Sequence, residues 1–356
     1  PMTSLPETMR GVVLTGHGDF DKLEFRNDLP VPRPGRGEVL IEVGAAAVNN
    51  TDVNTRVAWY SKKEGAAEDA TWTGAPLQFP RIQGIDACGR IAAVGEGVDR
   101  SRIGERVLVE PCLREAGGEA RDTAWFFGSE CDGGFAEYSV VAARHACRID
   151  SGLDDGALAS FPCSYSTAEN MLQRAAVREG ERVLVTGASG GVGSAAVQLA
   201  RARGAEVVAV TSAAKAGEVR ALGAARTLDR KEDLLEALGG ESIDAVVDLV
   251  AGPDWPKLLE VLRPGGRYAV AGAVAGPLVE LDVRTLYLKD LTLLGCTVLD
   301  DGVFASLIGQ IEARRIAPAV AARYPLERLV EAQQAFLEKR HTGKIVIEIA
   351  GSGGAA

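Results

Sequence analysis

The alternation of hydrophobic and polar positions changes character near residue 154. Before that point, short apolar or alternating runs separated by Gly, Pro and Asp predict β-strands. They cover Gly11–Leu14, Glu38–Val43, Gly89–Val94, Arg106–Val109 and Ala136–Val140. Between Trp59 and Pro80 no period persists, which indicates a long loop. The N-terminal part is therefore predicted to be β-rich.

After Asp154, strands and helices alternate. Continuous apolar runs predict strands at Arg182–Thr186, Glu206–Thr211, Asp244–Leu249, Arg267–Ala271 and Leu291–Cys296. Helical patterns accompany them at Ala157–Arg174, Gly193–Arg203, Ala214–Leu222 and Trp255–Leu262. Such alternation predicts an α/β domain with a doubly wound parallel sheet covered on both faces.

The C-terminal part returns to a different arrangement. Two helices, Val303–Ala313 and Leu326–Lys339, precede a final strand, Lys344–Ile349. The parallel-sheet domain is therefore predicted over 154–298, inserted into a discontinuous domain formed by 1–153 and 299–356.

Composition and charge narrow the functional classes. The chain is 46% hydrophobic and 25% charged, as in ordinary globular proteins, and its net charge is −10. That charge disfavours nucleic acid and anionic membranes as partners. The N-terminus lacks the features of a secretory signal, so a cytoplasmic protein is expected. The six cysteines and three histidines are scattered without a metal-binding or disulfide spacing.

A glycine-rich run joins the predicted strand at Arg182–Thr186 to the following helix. Glycine lets the backbone approach a pyrophosphate closely, and the amides of the helix N-terminus face the anion. This context makes a dinucleotide site the preferred interpretation, ahead of a loop that binds nothing. The candidate residues are Gly187, Ser189, Gly190, Gly191, Val192 and Gly193.

The same run also fits Thr-Gly-x-x-x-Gly-x-Gly, which resembles the short-chain dehydrogenases. That resemblance implies a motif near the start of the chain and a later Tyr-x-x-x-Lys. In this chain a whole predicted domain precedes the run, and no Tyr-x-x-x-Lys follows it. The short-chain assignment is therefore rejected.

The end of the second strand favours NADPH over NADH. An NAD site normally places a carboxylate there, against the ribose 2′-hydroxyl. Thr211 and Ser212 carry hydroxyls instead, and Lys215 follows within one turn. Hydroxyl and ammonium groups suit a 2′-phosphate, although Lys215 is alternatively a solvated charge at a helix start. Thr167 is a further cofactor-binding candidate.

Several short motifs together resemble the medium-chain dehydrogenase/reductase family, nearly from end to end. They are Thr15–Gly18, Val48–Asp52, Gly84–Gly89, Gly133–Tyr138 and Thr342–Lys344. The resemblance implies a GroES-like β-barrel catalytic domain and a Rossmann domain. It also implies a homodimer joined through the edge strand near Leu291–Val298, whose apolar side chains need cover.

The resemblance implies that no metal is bound. Zinc-dependent members hold the catalytic ion through a Cys, a His and a second Cys. Asn49 and Ile85 stand at the first two of these positions, and only Cys163 remains. Asp86 adds at most one oxygen, whereas catalytic zinc needs three protein ligands. Cys163 is interpreted as a packed remnant.

Zinc-free members include quinone oxidoreductase-like proteins and 2-enoyl thioester reductases. The stretch from Asn49 to Tyr60 is similar to the enoyl reductase motif, which implies Tyr60 as the proton donor. Asn49 and Thr51 are candidates to donate hydrogen bonds to a substrate oxygen. Alternatively, Asn49 and Asp52 are caps, and Tyr60 packs under the long loop. Trp72 is a candidate for substrate contact.

The expected function is an NADPH-dependent, zinc-independent reductase of quinones or α,β-unsaturated carbonyl compounds, acting on a small-molecule substrate. Two alternatives stay open at this point. One is an alcohol or aldehyde dehydrogenase with a vestigial metal site, and the other is a non-catalytic NADPH-binding protein.

Overall fold

The computed structural model describes residues 4–62, 71 and 73–349. The chain divides into two compact units. The first contains Pro1–Cys163, Pro318–Arg340 and Lys344–Ala356, and the second contains Ser164–Ala317 and His341–Gly343. Compared with the predicted boundaries, residues 154–163 lie in the first unit and residues 299–317 lie in the second.

Strands predominate up to about residue 150, and helices alternate with strands after it. The strands are β1 (Thr8–Leu14), β2 (Leu23–Pro30), β3 (Glu38–Ala47), β4 (Arg81–Ile82), β5 (Asp86–Val94), β6 (Arg106–Val109), β7 (Cys112–Ala116), β8 (Glu119–Phe126), β9 (Tyr138–Ala142), β10 (Ala146–Arg148), β11 (Arg182–Val185), β12 (Glu206–Thr211), β13 (Arg226–Asp229), β14 (Ile243–Asp248), β15 (Leu262–Val270), β16 (Thr292–Gly295), β17 (Val320–Pro325) and β18 (Lys344–Glu348). The α-helices are α1 (Asn50–Arg56), α2 (Asp155–Ala159), α3 (Pro162–Arg174), α4 (Gly191–Ala202), α5 (Ala216–Ala221), α6 (Leu234–Leu238), α7 (Trp255–Glu260), α8 (Val283–Leu288), α9 (Val303–Glu312) and α10 (Leu329–Leu337).

The first unit is built on a seven-stranded sheet in the order β10-β6-β5-β3-β18-β17, with β9 also paired to β3. A three-stranded sheet, β2-β1-β4, and a β7-β8 hairpin complete it. The central strand β3 contributes Val39, Leu40 and Ile41, none of which is exposed to solvent. Burial of such apolar side chains is the main driving force for this core. The five strands predicted for this part of the chain are confirmed as β1, β3, β5, β6 and β9.

Proline divides the helix that was predicted over Ala157–Arg174. α2 ends at Ala159 and α3 begins at Pro162, because a proline ring fits the first turn of a helix but not its interior. Ion pairs at the N-terminus of α2 attach this helix to the first unit. Arg106 Nε lies 2.9 Å from Asp155 Oδ1, and Arg323 pairs with Asp154 at 3.1 Å.

The second unit contains a six-stranded parallel sheet in the order β13-β12-β11-β14-β15-β16. Numbered from β11, this is the strand order 3-2-1-4-5-6 of a Rossmann fold, whose ligand crevice lies at the carboxyl ends of the strands where the order reverses. That switch point lies between β11 and β14. The predicted doubly wound parallel sheet is confirmed.

Side-chain contacts explain why the segment after β16 lies in the second unit. Arg174 of α3 donates to Asp300, at 3.0 and 3.1 Å, and to the carbonyl oxygen of Val298 at 2.6 Å. Asn170 of α3 binds the backbone of Val298 and Asp300. These bonds connect the chain beyond β16 to α3.

Two further observations bear on the sequence-based expectations. Across the described residues, no helix combines the length and the apolar character required to cross a membrane. None of the six cysteines, all of which lie within the described residues, forms a disulfide bond.

Candidate active site

The predicted glycine residues lie together in the turn between β11 and α4. Gly187 has a φ of +56°, a left-handed conformation that glycine adopts without strain. Helix α4 begins at Gly191, so its first amides lie at the end of this turn. A Cβ added at Gly193 would lie 2.0 Å from the carbonyl oxygen of Gly187. The start of α4 therefore packs directly against the backbone of the turn, which only glycine allows, and the amides of this helix start suit a pyrophosphate.

A second segment of the same unit contacts this turn. The N–H of Gly343 donates to the carbonyl oxygen of Ser189 at 3.0 Å. The Thr-Gly-Lys motif was noted only as a mark of family resemblance. Its glycine supports the cofactor turn directly.

Polar groups cluster beyond the end of β12. The hydroxyl Oγ1 of Thr211 is buried and has no hydrogen-bond partner among the described residues. Lys215 ends a short 3₁₀ turn that starts after Ser212. Burial lowers the pKa of Lys215, and the positive charge of Arg230 lowers that pKa further. Two cations beside a buried hydroxyl fit an anionic ligand group.

Arg230 was missed by sequence reasoning. It follows β13, whose residues Arg-Thr-Leu-Asp carry too little apolar character to predict a strand. Its N–H donates to the carbonyl oxygen of Thr211 at 3.1 Å. Thr167, another predicted cofactor residue, lies half-buried on α3.

The first unit holds a buried polar cluster formed by Asn49, Asp86 and Lys344. The side-chain amide of Asn49 donates to Asp86 Oδ2 at 2.8 Å, and Lys344 Nζ donates to Asn49 Oδ1. Lys344 Nζ also lies 3.1 Å from Asp86 Oδ2. Because an ammonium only donates and a carboxylate only accepts, these partners fix which end of the amide faces which group.

This geometry constrains the predicted role of Asn49. Its amide nitrogen bonds Asp86 and lies 3.4 Å from the carbonyl oxygen of Ala47. Donation to a substrate oxygen would require the side chain to give up one of these contacts. The oxyanion role of Asn49 stays a prediction.

Asp52 acts as a cap, as the alternative interpretation held. Its Oδ2 accepts from the N–H of Asn49 at 2.9 Å, three residues before it. The side chain is almost fully buried. Burial raises the pKa of Asp52 to about 7, and the negative charge of Asp86 contributes to this increase. Asp52 is therefore a carboxyl group that titrates near neutral pH.

Thr51 and Tyr60 lie in different surroundings. Thr51 is half-buried in the first turn of α1 and lines a small cavity together with Asp52, Gln83 and Ser129. Within the described part of the chain, Gln83 Oε1 and Ser129 Oγ have no hydrogen-bond partner.

Tyr60 is half-buried and packs edge-on against Trp59, with ring centroids 5.4 Å apart. Trp72 and residues 63–70 lie outside the described residues.

The residues at the zinc positions of metal-dependent relatives do not fit a zinc ion. Ile85 is apolar and buried, and Asn49 is held by Asp86 and Lys344. Asp86 Oδ1 accepts from the backbone N–H of Cys163 at 2.7 Å. Among the described residues, no three His, Cys, Asp or Glu side chains converge as a ligand set. Zinc requires three such protein ligands and an open position.

Asp86 and Lys344 escaped recognition as a pair. Lys344 opens a predicted strand beside Ile345-Val346, and Asp86 lies beside the apolar pair Ala87-Cys88, just before the predicted strand Gly89–Val94. A charge at the edge of such a run was a usable signal, because buried charges are rarely tolerated without a partner.

Comparisons with known proteins identify the family. Residues 35–151 match the alcohol dehydrogenase GroES-like domain, and residues 191–313 match the zinc-binding dehydrogenase family. The quinone oxidoreductase of Lama guanicoe is 30% identical over 95% of this chain and 97% of its own length. The acryloyl-coenzyme A reductase of Metallosphaera sedula is 30% identical over 95% of this chain and 99% of its own length.

A solved structure is similar to this chain in its three-dimensional fold. A putative alcohol dehydrogenase from Sinorhizobium meliloti 1021 is 47% identical, with a TM-score of 0.91 and 98% of each chain covered. The GroES-like and Rossmann architecture predicted from the sequence is confirmed. The chain belongs to the medium-chain dehydrogenase/reductase superfamily, in its quinone oxidoreductase-like branch, and is an oxidoreductase.

Proposed function

We propose that this protein is a zinc-independent reductase that uses NADPH to reduce a quinone or an α,β-unsaturated carbonyl compound. The observation that carries the proposal is the hydrogen bonding of Asn49. Its side-chain amide donates to Asp86 and accepts from Lys344. The family resemblance implies that Asn49 and Ile85 stand at positions where zinc-dependent relatives carry ligands. The matched family model is described as zinc-binding, but this donor set does not suit that ion.

Two relatives support the acceptor class. Their names, quinone oxidoreductase and acryloyl-coenzyme A reductase, describe conjugated acceptors. In both types of acceptor, hydride addition to a carbon or oxygen of the conjugated system places negative charge on an oxygen. A protein without a metal must stabilise that charge with hydrogen-bond donors.

The surroundings of Thr211 support NADPH. Thr211, Lys215 and Arg230 offer a hydroxyl and two cations. Asp229, a neighbouring carboxylate, accepts from the backbone N–H groups of Ala213 and Lys231 at 3.2 and 2.9 Å. The hydroxyl and the two cations are the groups suited to a 2′-phosphate.

A bound nicotinamide supplies the hydride. The side chains of the first unit manage charge and one proton. Thr51 is proposed to donate its hydroxyl proton in a hydrogen bond to the substrate oxygen. Tyr60 is proposed to deliver the proton that completes reduction of an activated alkene, because a phenol is a competent acid beside a developing enolate.

A second candidate, an alcohol dehydrogenase, is favoured by one observation. The Sinorhizobium meliloti structure with 47% identity is described as a putative alcohol dehydrogenase. This candidate requires alcohol oxidation with NADP⁺ or NAD⁺ and predicts no preference for conjugated acceptors.

Steady-state assays separate these possibilities. NADPH oxidation is measured with a panel of quinones, enones and enoyl thioesters, and NADP⁺ reduction with a panel of alcohols. The proposal expects turnover in the first panel that survives a zinc chelator, with well below one zinc per chain by elemental analysis. Turnover confined to alcohols, or activity that follows zinc content, would contradict it. Activity in neither panel, with NADPH still bound, would favour a non-catalytic binder.

The role of Tyr60 has its own control. Tyr60→Phe should lower kcat for enones at least tenfold, because proton delivery by a side chain contributes about 100-fold or more. Tyr324→Phe removes the same hydroxyl from a half-buried tyrosine of β17 and should change nothing. Equal kcat values for the two variants would contradict the proton-donor role.

We also infer a homodimer that forms through the edge of the second unit's sheet. β16 is the edge strand, and the preceding segment exposes Val274, Leu278, Tyr287 and Leu288, each at least 60% accessible. An apolar edge of this kind favours pairing with a second copy. Analytical ultracentrifugation should show a dimer that Leu278→Glu combined with Leu288→Glu converts to monomer. A monomeric wild type would contradict the inference.

A further inference from the structure

A buried hydrogen-bond network surrounds Asp248, the last residue of β14. Asp248 has no solvent exposure. Its carboxyl oxygens accept from the hydroxyl of Thr186 at 2.7 Å and from the hydroxyl of Tyr268 at 2.5 Å. They also accept from the backbone N–H groups of Val250 and Ala251, at 3.0 and 3.1 Å. Asp248 therefore connects the ends of three adjacent strands, β11, β14 and β15.

Each partner of Asp248 is itself held in place. The indole Nε1 of Trp255 donates to the Tyr268 hydroxyl at 2.7 Å, and the two rings are nearly perpendicular with centroids 5.6 Å apart. Burial, with the nearby Asp248, raises the pKa of Tyr268, so the phenol keeps its proton and donates it. Thr186 Oγ1 accepts from the N–H of Leu249 at 2.9 Å while donating to Asp248. Every hydrogen bond in the network thus has one defined direction.

The network ends at the cofactor turn. Thr186 directly precedes Gly187, where the turn begins. On the other side, a Cβ added at Gly187 would meet Val250 Cγ2 at 3.2 Å, so the loop held by Asp248 packs against the turn. This is the switch point between β11 and β14, the place where Rossmann sheets bind ligands. The position of Gly187 is therefore set through Thr186 from one side and through Val250 from the other.

We propose that Asp248 is a positioning residue for the nicotinamide cofactor, acting through Thr186 and the Val250 loop on the Gly187–Gly193 turn. The inference rests on the proposed use of that turn by the cofactor. A merely structural function is the competing explanation, and a buried polar network is not needed for stability alone. Apolar side chains of similar shape can stabilise a core equally well, whereas fully satisfied polar networks specify one arrangement.

The first test uses Thr186. Thr186→Val keeps the shape of the side chain and removes the hydroxyl, so Asp248 loses one of its donors and the Leu249 N–H loses its acceptor. Thr186→Ser keeps the hydroxyl. NADPH and NADH binding is measured by isothermal titration, and kcat and KM for the cofactor are measured with an acceptor that the wild type reduces. Thr186→Val should raise Kd and KM for either dinucleotide about tenfold, with kcat at saturating cofactor within about twofold. Thr186→Ser should restore wild-type values.

The second test pairs two tyrosines. Tyr268→Phe removes the donor to Asp248. Tyr165→Phe removes an equally buried hydroxyl of the same unit, which bonds Gln198 Nε2 at 3.0 Å and the carbonyl oxygen of Ala317 at 3.2 Å. Both variants should lower Tm, but only Tyr268→Phe should raise the cofactor Kd, by about threefold to tenfold.

The outcomes separate this inference from the proposed function. Folded Thr186→Val and Tyr268→Phe variants with wild-type Kd values would overturn the positioning role and leave cofactor use intact. So would an equal increase of Kd in Tyr165→Phe. A wild type that binds neither dinucleotide would overturn both proposals.

Discussion

The ammonium nitrogen Nζ of Lys344 lies 3.1 Å from the carboxylate oxygen Oδ2 of Asp86, and both side chains are at least 97% buried. Lys344 begins β18 and Asp86 begins β5, so the pair joins the C-terminal strand to a central strand of the same sheet. Desolvating two charges is costly, and their attraction compensates only while both partners are present. The stability of the first unit should therefore depend on keeping the pair intact.

Replacing Lys344 with Met should lower the free energy of unfolding. The change leaves the Asp86 carboxylate buried without its cation, which costs about 3–5 kcal/mol in comparable cases. Urea denaturation and Tm measure the loss. Arg328→Ala is the matched control, because Arg328 and Glu331 form a pair in which both side chains are 54% exposed. That variant should keep the wild-type Tm, since exposed pairs contribute little.

The double variant Asp86→Asn with Lys344→Met extends this test. Removing both charges should recover part of the stability that Lys344→Met loses, because no buried charge is left unpaired. A double variant no more stable than Lys344→Met would contradict the account of the pair.

Stability should fall as the pH rises from about 4 to about 7. Burial raises the pKa of Asp52 to about 7, above the value near 4 expected in an unfolded chain. The folded protein thus holds the Asp52 proton more tightly than the unfolded chain does. The resulting stabilisation is complete below about pH 4 and is lost as the pH rises through about 7, at no more than about 1.4 kcal/mol per pH unit.

Asp52→Asn should flatten this dependence. Its side-chain oxygen can still accept from the Asn49 N–H, but it carries no titrating proton. Tm is measured from pH 4.5 to 8 in buffers of constant ionic strength. Asp122→Asn, at an exposed position of β8, is the control and should reproduce the wild-type slope. An Asp52→Asn slope equal to that of the wild type would show that another group controls the pH response.

The sequence predicts the second unit better than the first, for a physical reason. β11 and β12 are covered on both faces, so they appear as continuous apolar runs that are easy to identify. β2 and β8 are partly exposed and mainly polar, and neither was predicted. The glycine turn was predictable because its backbone conformation and close contacts require glycine at defined positions.

The polar cluster of the first unit was not predictable in the same way. Asn49 is separated from Asp86 by 37 positions and from Lys344 by 295. Local patterns carry no information about such distant partners, and the burial of Asp86 follows from the pairing of β3 with β5 and β18. Arg230 was missed because its strand, β13, was missed.

Gly193→Ala should weaken cofactor binding. The new Cβ would lie 2.0 Å from the carbonyl oxygen of Gly187, so the helix start or the turn must shift. We expect at least a tenfold higher Kd for NADPH, measured by titration, because the turn presents its amides to the pyrophosphate. Gly217→Ala, in α5, is the control. A Cβ there has no neighbour within 4 Å, so that variant should bind normally and gain up to about 1 kcal/mol of stability. Wild-type affinity in Gly193→Ala would contradict the assignment of the turn.

Lys215→Ala and Arg230→Ala should each weaken NADPH binding and spare NADH. The two cations lie close enough for the charge of Arg230 to lower the pKa of Lys215, and an anion between them relieves that repulsion. Loss of one charge-assisted contact to the 2′-phosphate should raise the NADPH Kd about tenfold or more. NADH lacks that phosphate, so its Kd should change less than twofold. Lys231→Ala removes an exposed cation next to Arg230 and should leave both affinities unchanged. If Lys215→Ala and Arg230→Ala weakened both dinucleotides equally, the cations would serve the shared part of the cofactor, and the preference for NADPH would lose its physical basis.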